Sequence, residues 1–283
     1  MNDHVNREHA LRCSENSDMI ECCLRGEKLY GDDFTPAEIE GWFEAEKEAY
    51  YNLGPTSRGN YRYGYHALNW EHGFRFLPER RFESVLGIGS GFGEELSPVL
   101  DRSQRITILE PSNGFVVRDV HGIPVTYVKP AVNGSMPFAD ESFDLITCFG
   151  VLHHIPNVTS VMQEIFRCLR VSGYLLVREP VISMGDWRRP RKGLTARERG
   201  IPRVLMNEII GSAGFAIVQQ RKCMFSITSR LRYAMGGPVY NSRFAVMIDN
   251  LLCSLNVWPD RYHPIRFYHK FRPTSVFWVL RKA

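Results

Sequence analysis

Three groups of residues have the types and spacing of a working site. Glycines stand at 87, 89, 91 and 93 in Val85-Leu86-Gly87-Ile88-Gly89-Ser90-Gly91-Phe92-Gly93-Glu94, where an apolar run turns directly into a glycine-rich loop. Glycine lets backbone take positive φ and approach a ligand closely, and the N–H groups opening a following helix are hydrogen-bond donors. Glu110 closes a second apolar run, Ile106-Thr107-Ile108-Leu109, and lies 21 positions after Gly89. A carboxylate there can accept hydrogen bonds from both hydroxyls of a ribose. His153 and His154 follow a third apolar run, Phe143 to Phe149, and imidazole titrates close to neutral pH. The combination describes a nucleotide cradle beside a candidate acid–base group. The competing readings are plain tight-turn chemistry for the glycines and a solvated strand end for Glu110.

The glycine spacing narrows the nucleotide. A dinucleotide fingerprint reads G-x-G-x-x-G. Counting from Gly87 requires glycine at Phe92, and counting from Gly89 requires it at Glu94, so both counts fail. What remains, G-x-G-x-G at Gly89, Gly91 and Gly93, resembles the first motif of the Rossmann-like, class I S-adenosylmethionine-dependent methyltransferases. Met136-Pro137-Phe138-Ala139-Asp140-Glu141-Ser142-Phe143-Asp144 before one strand, and Val151-Leu152-His153-His154 after it, resemble the small-molecule branch of that family. The resemblance covers approximately residues 80 to 220 and implies S-adenosylmethionine as cofactor.

On that resemblance, Gly87, Gly89, Ser90, Gly91 and Gly93 form the cofactor loop, and Glu110 with Pro111 meets the ribose. Asn133, Gly134, Ser135 and Met136 border the adenine, Phe149 and Gly150 border the methionine end, and His153 packs against the cofactor or the loop backbone. Tyr63 or His66 touches the cofactor from an N-terminal segment that closes over it. The chain departs from the family pattern at two places. Val132 and Asn133 stand where an acidic adenine contact is usual, and Gly87 stands where relatives often carry Asp. The second departure leaves the methionine end to Glu94 or Glu95.

Methyl transfer from a sulfonium is an in-line displacement, so a protein mainly aligns the reactants and excludes water, with a base needed for a hydroxyl acceptor. His154 is the leading base, and Glu179, in Arg178-Glu179-Pro180, is a second candidate at the acceptor edge. Its plain alternative is an ion pair with Arg178 or another arginine. From Asp186 through Arg203 stand seven basic and two acidic residues. Arg188, Arg189 and Arg191 in this run are candidates for holding a phosphate or carboxylate on the acceptor, against the alternative of an exposed loop. No metal is expected, because adjacent histidines rarely converge on one ion and no third ligand is evident. The resulting reading is transfer of a methyl group to a small-molecule or glycan-precursor acceptor, at a hydroxyl of a sugar-like or anionic intermediate. Alternatives are N-methylation of an amine and a noncatalytic cofactor-binding module, with a nicotinamide-dependent dehydrogenase disfavoured by the glycine count.

The elements that must position these residues can be read coarsely. From Phe82 onward strands and helices alternate, which argues an α/β fold with a seven-stranded, mostly parallel sheet covered on both faces. Strands are expected at 85–88, 106–109, 125–128, 143–149, 174–177, 217–220 and 275–280. Helices are expected at 94–100, 160–170 and 202–211. Thr35-Pro36-Ala37-Glu38 starts an N-terminal helix running to about Tyr51, and His66 to Leu77 forms another. The expected organisation is an N-terminal helical segment or lid (1–79), a cofactor-binding core (80–221), a cap or interface insertion (222–274) containing a helix from Ser242 to Leu255, and a last core strand (275–283).

Composition bounds the class. The chain has 283 residues, 44% hydrophobic and 12% aromatic, with formal net charge +4. Residues 1 to 50 carry five Lys/Arg against thirteen Asp/Glu, so the remainder, holding the candidate site, is strongly basic. No apolar run reaches the roughly 18 residues of a membrane span, and no secretory leader is evident, which makes a cytoplasmic setting the expectation. Seven scattered cysteines lack a C-x-x-C pair. Aromatics and bases interleave at Tyr61-Arg62-Tyr63-Gly64-Tyr65-His66, but the patch is short, and no nucleic-acid partner is expected. Homo-oligomerisation is left open.

Overall fold

The computed structural model describes residues 19–53, 58–187, 189–235, 237–257 and 260–283. Its centre is a seven-stranded sheet. In chain order the strands are β1 (Phe82–Ile88), β2 (Ser103–Leu109), β3 (Asp119–Val120), β4 (Ile123–Pro124), β5 (Thr126–Val128), β6 (Phe143–Phe149), β7 (Leu169–Pro180), β8 (Phe215–Phe225) and β9 (Pro273–Lys282). Besides a helical stretch at 19–25, the α-helices are α1 (Pro36–Glu46), α2 (Ala49–Leu53), α3 (His66–His72), α4 (Val158–Cys168), α5 (Arg203–Ser212), α6 (Ser226–Met235) and α7 (Arg243–Ser254). The sheet order is β5-β2-β1-β6-β7-β9-β8, and β3 and β4 pair separately. β5, β2, β1, β6 and β7 are mutually parallel, whereas β9 runs antiparallel to both β7 and β8.

Alternation along each strand sends side chains to opposite faces. Leu86, Ile88, Ile146, Cys148, Leu175 and Val177 face a core shared with α4 and α5, through Val161, Ile165, Met206 and Ile210. Val85, Leu145 and Leu176 face a second core completed by Leu68 of α3, Leu96 and Val99 of the segment after β1, and Val246 of α7. Helices on both faces of a mostly parallel sheet are what the strand–helix alternation predicted.

Several boundaries shift for local reasons. Thr35 caps α1 in a reciprocal capping box with Glu38, as its sequence predicted. The helix breaks after Glu46, however, and restarts at Ala49 rather than running on to Tyr51. The segment after β1 is a run of 3₁₀ turns, Glu94–Arg102, with Pro98 inside it. Proline lacks the N–H that a continuous α-helix there needs. α4 ends at Cys168, and the chain passes straight into β7, so Ser172-Gly173 lies within a strand instead of stopping a helix. A register shift between β6 and β7 accommodates this, with Ser172 at φ 64°. β8 continues to Phe225, past the expected core boundary at 221. The insertion helix α7 begins where expected, with the Ser242 hydroxyl accepting from Ala245 N. Among the described residues no helix is long and apolar enough to cross a membrane.

Candidate functional site

The C-terminal ends of β1, β2, β6 and β7 converge on a cavity of about 750 Å³. Ligands in open parallel sheets collect at this edge. The loop after β1 is shaped by glycines at φ 59° (Gly89) and φ 79° (Gly93). A Cβ on Gly89 would lie 2.6 Å from Val151 Cγ2, and one on Gly93 2.7 Å from Val120 Cγ2, so neither position admits another residue without movement. Gly89, Ser90 and Gly91 line the cavity, while Gly87 and Gly93 support the loop from behind.

Glu110, 5% exposed, reaches from the end of β2 into the turn of this loop. Its Oε2 accepts from Gly91 N at 3.2 Å and its Oε1 from Ser112 N at 3.0 Å. Burial pushes its carboxyl up to about 7 against those two N–H donors. Pro111 lines the cavity beside it, and Phe115 and Tyr51 form an aromatic wall there.

A second buried carboxylate stands on the other side of the loop. Glu95 Oε1 accepts from Ser90 Oγ at 2.6 Å and from Thr147 Oγ1 at 3.0 Å. Burial pushes it up to about 7, and it lines the cavity. Gly87 is explained by this packing, because a Cβ there would fall on the Ser90 hydroxyl. The Glu95 carboxylate thus lies beside position 87, held by the serine that occupies the space a side chain there would take.

The turn after β5 contributes Pro130, Ala131, Val132, Gly134 and Met136 to the wall. Asn133 and Ser135 are exposed and turned away: Asn133 Oδ1 accepts from Ser135 N at 3.1 Å and from Ser135 Oγ at 2.8 Å. These two side chains close their own turn and lie off the cavity lining. Tyr63, Phe149 and Gly150 line it, joined by Tyr61 and Tyr65 of the same aromatic and basic run and by Tyr50 and Tyr240.

His154 lies at the far end of the cavity and borders a second one of about 380 Å³. Its Nδ1 donates to Glu46 Oε2 at 2.9 Å, and Glu46 Oε1 accepts from Arg197 N at 2.8 Å. Burial and the neighbouring His153 charge lower the His154 pKa, against the pull of Glu46. A neutral imidazole protonated at Nδ1 has an unprotonated Nε2, the form a general base requires. Glu46 on α1 is a partner that no local pattern exposes.

His153 is built differently. Its Nδ1 meets Glu179 Oε2 at 2.7 Å, and its Nε2 lies 3.5 Å from Glu198 Oε1. Burial alone would lower its pKa, but the two carboxylates outweigh it and hold the ring up to about 9. The same pairing holds Glu198 down to about 2 despite burial. Glu179 is fully buried, and its Oε1 accepts from Val151 N and Leu152 N, both at 2.9 Å. It stands behind His153 and off the cavity wall, so it orients the histidine turn rather than meeting an acceptor. Its sequence alternative, a pair with Arg178, is also excluded, because neighbouring strand residues point to opposite faces. The third ligand that adjacent histidines lacked in the sequence is present in space: ligand atoms of His153, His154 and Glu198 lie within 4.8 Å of one another. With its pKa held up to about 9, His153 is protonated on both ring nitrogens, and one N–H is directed at Glu179 and the other at Glu198.

The basic loop is mostly structural. Arg199 is fully buried and donates to the carbonyls of Tyr30, His153, Ile155 and Pro156. Arg191 Nη2 donates to Thr195 O at 3.2 Å. Arg189, 82% exposed in its side chain, lies 3.8 Å from Asp186. Neither Arg189 nor Arg191 lines a cavity, contrary to the expectation that they hold the acceptor, and Arg188 lies outside the described residues. Elsewhere in the run Arg203 pairs with Asp260, and Arg197 lies over the Trp42 ring.

Comparison with known proteins agrees with this geometry. Residues 86–177 match a family described as a methyltransferase domain (Methyltransf_11). An uncharacterized methyltransferase of Bacillus subtilis, YcgJ, is 29% identical over 100 residues, 33% of this chain and 39% of the relative. A ubiquinone biosynthesis O-methyltransferase of Photorhabdus laumondii is 26% identical over 98 residues, 33% of this chain and 41% of the relative. The chain thus spans about two fifths of the length of these curated relatives. Among solved structures, the [4+2]-cyclase SpnF has TM-score 0.52 at 18% identity, covering 88% of this chain and 96% of the other. An S-adenosylmethionine-dependent methyltransferase from Mesorhizobium loti has TM-score 0.51 at 15% identity, covering 75% and 97%. The match over residues 86–177, about a third of the chain, agrees with the loop motif and with the strand order of a Rossmann-like fold, and S-adenosylmethionine is the cofactor that this similarity implies.

Proposed function

We propose that this protein transfers a methyl group from S-adenosylmethionine to a hydroxyl oxygen of a small-molecule acceptor. The observation that carries the reading is the single cavity bounded at one end by Gly89, Gly91 and Glu110 and at the other by His154, whose Nδ1 is held by Glu46. The residues present fit the cofactor: Glu110 offers a carboxylate for ribose hydroxyls, Glu95 one for the ammonium of the methionine end, and Pro130 to Met136 an apolar wall for adenine. When bound, the cofactor supplies an activated methyl carbon. His154 Nε2 takes the acceptor proton, Glu46 stabilises the imidazolium that results, and the tyrosine-rich wall excludes water. His153 and Glu179 keep the turn carrying His154 in place. In this reading residues 1–79 act as a lid and 222–274 as a cap, since Tyr63, Tyr65, Met224 and Tyr240 all face the cavity. Aromatic rings on several sides suit a ring-shaped, polyhydroxylated acceptor such as a glycan precursor.

Equilibrium titration with S-adenosylhomocysteine and, separately, with a nicotinamide dinucleotide tests the donor half. Binding of the first with none of the second supports the proposal, and the reverse defeats it. Transfer of labelled methyl from S-adenosylmethionine to polyhydroxylated acceptors tests the acceptor half, with product analysis reporting whether oxygen or nitrogen carries the label.

A further inference from the structure

Arg178 is a buried charge that this chemistry does not use. On β7 it points to the face opposite Glu179, toward α3 and α7, with its guanidinium 4.0 Å above the Tyr65 ring. The residue is 6% exposed. Among the described residues no carboxylate pairs with it. Its Nε is buried with no hydrogen-bond partner, and its Nη1 makes a 3.7 Å contact with Met224 Sδ. Glu95, the acid whose field it shares, is already engaged by Ser90 and Thr147. A guanidinium carries five N–H donors in a planar fork matched to a carboxylate, and a ring face compensates for only part of its lost hydration. Such a group without an anion is a site prepared for one.

Position says which anion. Arg178 borders both the main cavity and the smaller one. The smaller cavity is lined by His153, His154 and Glu198 but by none of Gly89, Gly91 or Glu110. Arg178 therefore faces the compartment beyond the nucleotide loop, beside the candidate base. We propose that Arg178 anchors a carboxylate on the acceptor, so that the methylated molecule is an organic acid. This inference rests on the methyl-transfer reading for the word acceptor, but the anion site itself does not. It moves the anionic handle from the solvated loop at 188–191 to the floor of the cavity. A uronate and an aromatic acid share the required chemistry.

The test uses the full chain saturated with S-adenosylhomocysteine, titrated calorimetrically with glucuronate and benzoate and with their neutral counterparts glucose and benzyl alcohol. At least one acid is expected to bind tenfold or more tightly than its neutral counterpart. Arg178→Met is expected to erase that preference, to leave S-adenosylhomocysteine affinity within about twofold, and not to lower the melting temperature; Arg178→Lys is expected to retain part of the preference. Equal binding of acid and neutral probes, or binding of neither, overturns the proposal. A tenfold loss of S-adenosylhomocysteine affinity in Arg178→Met also overturns it, by assigning Arg178 to the donor's carboxylate. A sharply lowered melting temperature overturns it in favour of a structural guanidinium. If the unaltered chain does not bind S-adenosylhomocysteine, the donor reading fails by itself, and the same acid-over-neutral comparison is read on the ligand-free chain.

Discussion

Glu46 Oε2 accepts the Nδ1 proton of His154 at 2.9 Å across 108 positions of sequence. The contact ties α1 to the turn after β6 and makes a carboxylate–imidazole dyad on the cavity wall. Glu46→Gln keeps shape and removes charge, so the His154 pKa is expected to fall further below its ordinary value. An NMR titration of the imidazole checks this, and an unchanged pKa would remove Glu46 from the dyad. With an acceptor in hand, turnover should fall about tenfold or more in Glu46→Gln and further in His154→Ala.

Glu110→Ala is expected to weaken S-adenosylhomocysteine binding by roughly 10- to 100-fold, the worth of one or two charge-assisted hydrogen bonds. The melting temperature should hold, because a carboxyl that burial raises to about 7 is costly to keep in the ligand-free protein. Calorimetric titration together with thermal unfolding separates the two effects. Unchanged affinity would place the ribose elsewhere.

Restoring the family residue at position 87 should not restore anything. In Gly87→Asp the new Cβ meets the Ser90 hydroxyl, and a further carboxylate is buried beside Glu95. The variant is expected to lose about 1–3 kcal/mol of stability by overpacking alone and to bind S-adenosylhomocysteine no better. Glu95→Gln, by contrast, should fold normally and bind the cofactor product more weakly. Denaturant unfolding and binding measured on both variants decide whether position 95 has taken over from position 87.

The ligand-free protein should become less stable as pH rises from 5 to 8. Glu95 and Glu110 both have folded pKa values raised to about 7 by burial. The folded state therefore holds more protons than the unfolded state between about 4.5 and 7, and stability is lost as pH rises through the folded value. His153, raised to about 9, loses its contribution in the same direction but at higher pH. Glu198, held down to about 2, acts oppositely: its contribution is present above about 4.5 and is lost as pH falls toward 2. Urea unfolding at pH 5 and pH 8, compared between the unaltered chain and Glu95→Gln/Glu110→Gln, checks the assignment. The double variant should lose less stability across that interval, and an equal loss in both proteins would refute it.

The parts legible in the sequence are those in which neighbours along the chain are also neighbours in space. Strand periodicity placed the β1, β2 and β6 ends, glycine spacing marked the loop between β1 and the 3₁₀ segment, and an acid one residue beyond β2 marked Glu110. These features share one reason: backbone geometry at the end of a strand is local, and residues within a turn of it carry its requirements. The N-cap of α1 and the start of α7 were legible on the same grounds.

Other relationships exist only after the sheet has assembled. Glu46 reaches His154 from a different helix, Glu198 reaches His153 from a loop, and Glu95 fills the space opposite Gly87 through a serine. The adjacent pair Arg178-Glu179 is split by strand alternation into a cavity-lining residue and a buried brace, and Arg199 of the arginine-rich loop becomes a clamp on backbone carbonyls. Sequence by itself determined the strand ends, the glycine-shaped loop and the acid that follows β2, because these follow from local backbone requirements. Only the tertiary structure decided which carboxylate serves which histidine and which arginine faces the cavity, because hydrogen-bond partners and burial depend on contacts between segments that are remote in the chain.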